Sequence, residues 1–512
     1  MVIQLQGSTE DSHRSKMMVT IPGFLAKAIL RMRWPLPALI FLMLMFLSAN
    51  RAGAQQLCSQ VCTFTNPVPC GTTCTVIVNG FSGVSVCGST QFPACFVPTA
   101  TPSPTPPVTL AGSSSHLSSF LDPTGVTTGR PAGQAIFYRA ADQHIHHIFS
   151  STTWFTDDPS AGAGAAPAIS GTPVSSLLDA TGATNGRVPG QDIFYVATDE
   201  HIHHLYSDTT WHTDDISGIT SAPLAATQTA VISFLDATGA ANGGIPGQEI
   251  FYIANDQEVH HIFSDTTWRT DNPHGFTGAP LATTGSGLSG FLDATGAVNG
   301  HVPGLAVFYV GTDQHIHHIF SDTTWHTDDP SAGSGAALAA TNSAVTSLLD
   351  ATGATNGGVP GQDIFYIGTD QHVHHLFSDT TWHTDDPLGI AGGLPAASGS
   401  ALCSFLDRTG VTAGGIPSIG VFYIGTDQHV HHLFSTTTWR TDDATANAGA
   451  PPALVGSPLS CFVDPTGVTT GKPGGQSIFY VGTDFHVHHL YSNTTWFNDD
   501  PTAMTGAPIV SF

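Results

Sequence analysis

The chain has 512 residues, 41% hydrophobic and 10% charged, with 55 Gly and 34 Pro, a composition that excludes a coiled coil, a long-helix bundle and a charge-driven disordered chain. Its 13 Lys and Arg stand against 38 Asp and Glu, a formal charge of -25, so no basic groove is on offer to nucleic-acid phosphates.

The first element is a leader. Arg31 and Arg33 run into the apolar stretch Leu36 to Leu47, and Ala52-Gly53-Ala54 has the small-x-small pattern of a signal-peptidase site. This predicts an export signal over 1–54, cleaved after Ala54, with Met17 or Met18 as alternative starts and an uncleaved anchor as the competing reading. No later segment has the length and hydrophobicity of a membrane span. The expected destination is secreted, cell-surface or periplasmic. The remainder keeps seven basic and 36 acidic residues, a net of −29, and 26 of the 27 histidines. Imidazole is therefore its main reserve of positive charge, and if the rings are buried and neutral, acid below about pH 6.5 should destabilise the fold.

Next come Cys58, Cys62, Cys70, Cys74, Cys87 and Cys95, which predict a small disulfide-rich module over 55–96 in an exported chain. Six cysteines allow 15 connectivities, and the two Cys-x3-Cys pairs suit metal as an alternative. Residues 97–113 are rich in Pro, Thr and Ser and read as an extended spacer.

From 114 to 512 the chain repeats. Trp154, Trp211, Trp268, Trp325, Trp382, Trp439 and Trp496 are each 57 residues apart, and seven such units account for the remaining length. In the fifth, Ser347 to Asp350, Asp363 to Ile367, His372 to Phe377 and Thr380 to Thr384 are short runs rich in β-branched and aromatic residues between turn residues. They predict a four-stranded antiparallel sheet per unit. Parity puts His372, His374 and Leu376 on one face and Val373, His375 and Phe377 on the other, so both faces carry apolar residues. The fold class is therefore all-β, a seven-bladed β-propeller, with a β-solenoid as the alternative. The strand Ser118 to Asp122 is expected to complete the last blade and lock the ring. Cys403 and Cys461 sit in equivalent strands of adjacent units, one position out of register, either bridged or free.

Each unit carries an Asp-x-His-x-His-His pattern, with Glu258 replacing the first His in the third. His144 and His146, His201 and His203, His315 and His317, His372 and His374, His429 and His431, and His486 and His488 are the candidate ligand pairs for Zn²⁺, Cu²⁺ or Ni²⁺. The preferred reading is that such histidines hydrogen-bond the turn Asp and the Thr hydroxyls of the neighbouring strand. The residue after each Trp varies as Phe155, His212, Arg269, His326, His383, Arg440 and Phe497, and marks an exposed position. No Gly-x-Ser-x-Gly elbow, phosphate loop or His-Glu-x-x-His helix is present, so no enzyme is expected. Asp350 to Gly357 lacks the alternating carboxylates of an EF-hand loop and reads as a turn.

The stretch Gly368-Thr369-Asp370-Gln371-His372-Val373-His374-His375-Leu376-Phe377, followed by Trp382, resembles the blades of bacterial seven-bladed propeller lectins and, more distantly, fungal fucose-binding propeller lectins. The resemblance implies sugar pockets between adjacent blades. Carried over by position, it implies a strand His and a Trp per site: His147 with Trp154, His204 with Trp211, His261 with Trp268, His318 with Trp325, His375 with Trp382, His432 with Trp439 and His489 with Trp496. The fungal Arg-Glu pair is replaced here by His374 and His375, a departure from fucose recognition. The expected function is a secreted, non-enzymatic, lectin-like propeller that binds surface glycans without a cofactor. A His-based metal binder and a protein-interaction scaffold are the alternatives.

Overall fold

The computed structural model describes residues 117–510 apart from short turns in each repeat, and the backbone of four short strands nearer the N-terminus. The chain divides into Met1–Pro106 and Pro107–Phe512. In the first part, Thr73–Val78 and Phe81–Val86 pair antiparallel. The predicted cleavage site, the pairings of Cys58 to Cys95 and the spacer lie outside the described residues. Among those described, no helix is long and apolar enough to cross a membrane.

The second part is a seven-bladed propeller of seven four-stranded antiparallel sheets. The first blade takes Ser118–Asp122, Gly133–Arg139, Ile145–Ser150 and Trp154–Asp157 in that order. The second strand of every blade is buried along its whole length. Burial on both faces fits the aliphatic and aromatic run at the centre of these strands, such as Ile364-Phe365-Tyr366-Ile367. The core is accordingly distributed: each of seven hydrophobic clusters joins two neighbouring blades, as Phe194 and Ile202 join Ile250 and Tyr252.

First strands face the centre. Their leading residues, from Leu117 and Val174 round to Leu402 and Leu459, line a cavity of about 460 Å³. Adjacent first strands are pinned by small polar pairs 58 residues apart: Ser118 with Ser176 at 2.7 Å, Ser175 with Ser233, Ser289 with Ser347, and Thr346 with Ser404, each at 2.8 Å. Cys403 and Cys461 occupy the next place in this series and form a disulfide, with Cα atoms 5.9 Å apart. Each strand turns one residue toward the preceding blade and its neighbour toward the following one. That explains the one-position offset.

The ring closes differently from the sequence expectation. Ser118–Asp122 pairs with Gly133–Arg139 of its own blade, not with the last blade. Closure uses contacts of the kinds found at other interfaces: Ser119 Oγ to Ser460 Oγ at 2.7 Å, Trp154 Nε1 to Asp499 Oδ2 at 3.1 Å, and the Tyr138 hydroxyl to the Pro508 carbonyl at 2.7 Å. A whole number of complete units leaves no strand to exchange.

After each fourth strand comes a five-residue helix that the strand reading did not anticipate. In Pro159–Ala163, Asp158 accepts the Ala161 N–H at 2.8 Å, Pro159 sits in the first turn, and Gly164 closes the helix at φ 66°. Such a helix is too short for periodicity to reveal, although Asp-Pro and the later Gly are its capping signals.

Candidate functional site

Five residues link the second and third strands, with the Ala140 N–H donating to the His144 carbonyl and the Gln143 N–H to the Ala140 carbonyl, each at 3.0 Å, and Gln143 itself left-handed at φ 68°. Asp142 Oδ1 accepts the His144 N–H at 3.1 Å, and its Oδ2 lies 2.9 Å from His146 Nε2. His144 Nδ1 bonds Asp158 Oδ2 at 2.8 Å, so the helix cap also anchors an imidazole. Thus Asp142, His144, His146 and Asp158 each bring one ligand atom within 4.8 Å of the others, and Asp199, His201, His203 and Asp215 repeat the cluster. His315, His372, His429 and His486 make the same cap bond, and His317, His374, His431 and His488 the same turn bond.

Glu258 becomes informative here. The third unit also changes the cap Asp to Asn272, whose Nδ2 donates to Glu258 Oε2 at 2.6 Å. Donor and acceptor have exchanged places while the bond is kept. A metal would ask for no such exchange, since His and Asp are both ligands; a hydrogen-bonded pair requires it. On the fourth strand, Thr156, Thr270, Thr327 and Thr384 donate to the backbone carbonyl of the strand His rather than to its ring, Thr156 Oγ1 to the His147 carbonyl at 3.0 Å, whereas Thr210, Thr324 and Thr381 in the preceding loop bond the ring of the His that follows Trp.

The second set of histidines, on the opposite face of the third strand, is more deeply placed. His147, His204, His261, His318, His375, His432 and His489 are 1–2% exposed. The His375 ring stacks on Phe365 at 4.5 Å and on Phe377 at 4.8 Å. Its Nδ1 lies 3.0 Å from Asp385 Oδ1 and its Nε2 2.8 Å from Asp363 Oδ1. Asp385 Oδ2 accepts the Trp439 indole N–H from the next blade at 3.0 Å. A polar chain therefore runs from the middle of one blade to the edge of its neighbour.

Burial by itself pushes the His375 pKa down, but hydrogen bonds and charge from Asp363 and Asp385 outweigh it and raise the pKa to about 9. His261, between Asp271 and Glu249, is likewise raised to about 9 against the pull of burial. At these two positions the sequence expectation is reversed, because the buried ring already holds its proton at neutral pH. Burial pushes Asp385 up, but the bonds from His375 and Trp439 prevail and hold it below the usual carboxylate range.

These groups meet at pockets between blades. His375, Phe377 and Asp385 line a cavity of about 240 Å³ with Ile390 and, from the next blade, Ser435, Thr437, Thr438 and Trp439. Equivalent cavities of about 290 and 370 Å³ contain His261 with Trp325 and His432 with Trp496. The pairing implied by sequence position is corrected: each strand His meets the Trp of the following blade. Ring centroids are 6.0 Å apart for His147 and Trp211, 5.3 Å for His204 and Trp268, 5.9 Å for His318 and Trp382, and 5.6 Å for His489 and Trp154. Strand order imposes this, since the fourth strand is the blade's outer edge and its indole lies against the preceding blade.

Three contributors were not singled out in the sequence: the carboxylate on the fourth strand, the aromatic two residues after the strand His, and the hydroxyl-bearing loop before Trp. Their recurrence in the 57-residue register was the available signal. The variable residue after Trp lies beside the pocket's aromatic. Phe155 is 47% exposed and stacks on Phe149 at 5.5 Å, whereas His212 stacks on Tyr206 at 5.1 Å and bonds Asp208.

No protein-family model and no curated protein matches this chain. Among solved structures, the BP39L lectin from Burkholderia pseudomallei is similar at 15% identity and TM-score 0.54, over 78% of this chain and 99% of that one. AofleA from Arthrobotrys oligospora matches at 10% identity and TM-score 0.43, over 64% of this chain and 86% of its own. The six-bladed Aleuria aurantia lectin matches at 13% identity and TM-score 0.41, over 64% and 95%.

Proposed function

We propose that the protein is an exported, non-enzymatic, carbohydrate-binding propeller that takes glycans in its inter-blade pockets. The observation that carries this reading is the repeated pocket itself. An indole, half-buried at Trp325 and buried more deeply at Trp439, offers an apolar face to sugar C–H groups, while an aspartate and several Ser and Thr hydroxyls stand around it to fix hydroxyl orientation. The strand His serves as the buried support that orients the carboxylate. Lectin function in a neighbour of similar fold is compatible with this reading. Export rests on the leader at 1–54 and on the Cys403–Cys461 bridge, which suits an oxidising compartment. The Cys-rich module at 55–96 and the spacer at 97–113 are proposed to precede the ring at 114–512.

Single shallow pockets for a polar ligand should bind at about millimolar to micromolar affinity. Linked on one rigid ring, they should gain about 10² to 10⁴ in avidity on a dense glycan surface. A glycan array probed with the protein lacking residues 1–54, with and without chelator, tests this. Surface glycans should be bound, chelator should change nothing, and free monosaccharide should compete poorly. Absence of binding across a broad array by a folded sample refutes the reading.

A further inference from the structure

Seven blade interfaces bring a strand His against the Trp of the next blade, and they differ at the fourth residue of the five-residue helix. Each helix packs on the fourth strand of the next blade, where the Trp lies. That residue is glycine in two units. A Cβ on Gly162 would sit 3.3 Å from Trp211 Cδ1, and one on Gly333 3.6 Å from Trp382. The same place holds Ile219, Phe276, Ile390 and Met504 in four units, all more than half exposed, and Asn447 in the sixth. Ile390 and Asn447 line the pockets of Trp439 and Trp496 directly.

Two further observations follow the same division. The indole-to-aspartate bonds of Trp211 and Trp382, opposite the glycines, are open to solvent. Those of Trp154, Trp325, Trp439 and Trp496 are part-buried, and Trp439 beside Ile390 is only 8% exposed. Behind the strand His, the second strand carries Ala135 and Ala306 in the two glycine units. In three of the walled units the same register position holds Asp192, Glu249 and Asp363.

We propose that this helix position is the specificity-determining residue of each pocket: Gly162 and Gly333 leave the Trp211 and Trp382 indoles open enough to stack an internal residue of a glycan chain, whereas walled pockets admit a chain end alone. The proposal rests on the carbohydrate-binding reading. A sugar within a chain needs clearance on two sides of the platform, and a branched, aromatic or thioether side chain removes it on one. The glycines are not needed by the backbone: neither has a positive φ, and the equivalent helices accept larger residues.

The test is a Gly162→Ile/Gly333→Ile double variant on an array presenting the same sugars at chain ends and within chains, with Ile390→Gly as the reciprocal change. Signals from internal residues should fall about tenfold or more in the double variant, while those from chain ends persist. Ile390→Gly should strengthen internal signals. Acrylamide should quench Trp fluorescence less in the double variant than in wild type, with unchanged circular dichroism. If wild type binds glycans and the double variant shows the same pattern and strength, the proposal is overturned and the carbohydrate-binding reading stands. Should wild type bind no glycan, both fall.

Discussion

Asp363→Ala removes the carboxylate behind His375 and leaves an arrangement the chain already uses, since Ala135 and Ala306 stand behind His147 and His318. His375 is held by Asp363 and Asp385 at a pKa of about 9, above the ordinary 6.5 of the unfolded ring. A raised folded pKa contributes stability that is fully present below pH 6.5 and is lost as pH rises through 9. At 1.36 kcal/mol per unit, the retained proton contributes on the order of 2–3 kcal/mol at pH 7 and under about 1 kcal/mol at pH 9. The variant, lacking Asp363, should lose most of this slope. Guanidinium unfolding followed by Trp fluorescence at pH 7, 8 and 9 should show the gap between wild type and variant narrowing by about 2 kcal/mol. A gap that stays constant or widens over that range refutes the charged-histidine account.

Replacing both Cys403 and Cys461 by Ser recreates the pair used at other interfaces, so the ring should fold but lose about 2–4 kcal/mol, measured by denaturation; reductant should weaken wild type and leave the variant unchanged. Asp271, Asp328 and Asp385 are pushed up by burial yet held low by their His and Trp partners, so their stabilising contribution is present above the ordinary carboxylate pKa and lost as pH falls through the lowered value. Melting temperature should therefore fall steeply below about pH 4. Zinc titrated calorimetrically at neutral pH should show no binding tighter than about millimolar, because Asp158 and its equivalents already cap a helix and hold an imidazole; micromolar binding contradicts the hydrogen-bond account. Tyr366→Phe should cost about 1 kcal/mol by thermal denaturation, since its hydroxyl donates to the Ala337 carbonyl of the preceding blade at 2.6 Å.

Blade number and the four-strand unit were legible in the sequence because both are periodic: tryptophans every 57 residues set the count, and turn residues between short apolar runs set the strands. The two faces of the third strand followed from parity, which is local geometry. Which blade completes a pocket did not, because the His375 and Trp439 rings lie 5.6 Å apart across a boundary that no local pattern marks. Closure was likewise decided in three dimensions, where intact units meet through Ser119 and Ser460 and need no exchanged strand. The cysteines declared a possible bridge, but only adjacency of the first strands around the channel paired them. Tertiary structure also decided the charge of His375: the repeated motif is nearly constant, yet Asp363 on the second strand, where another blade has Ala306, reaches the ring only when the strands pair. A repeat encodes the unit through its own period. Interfaces between units, where the pockets lie, depend on side chains tens of residues apart and form only when the ring does.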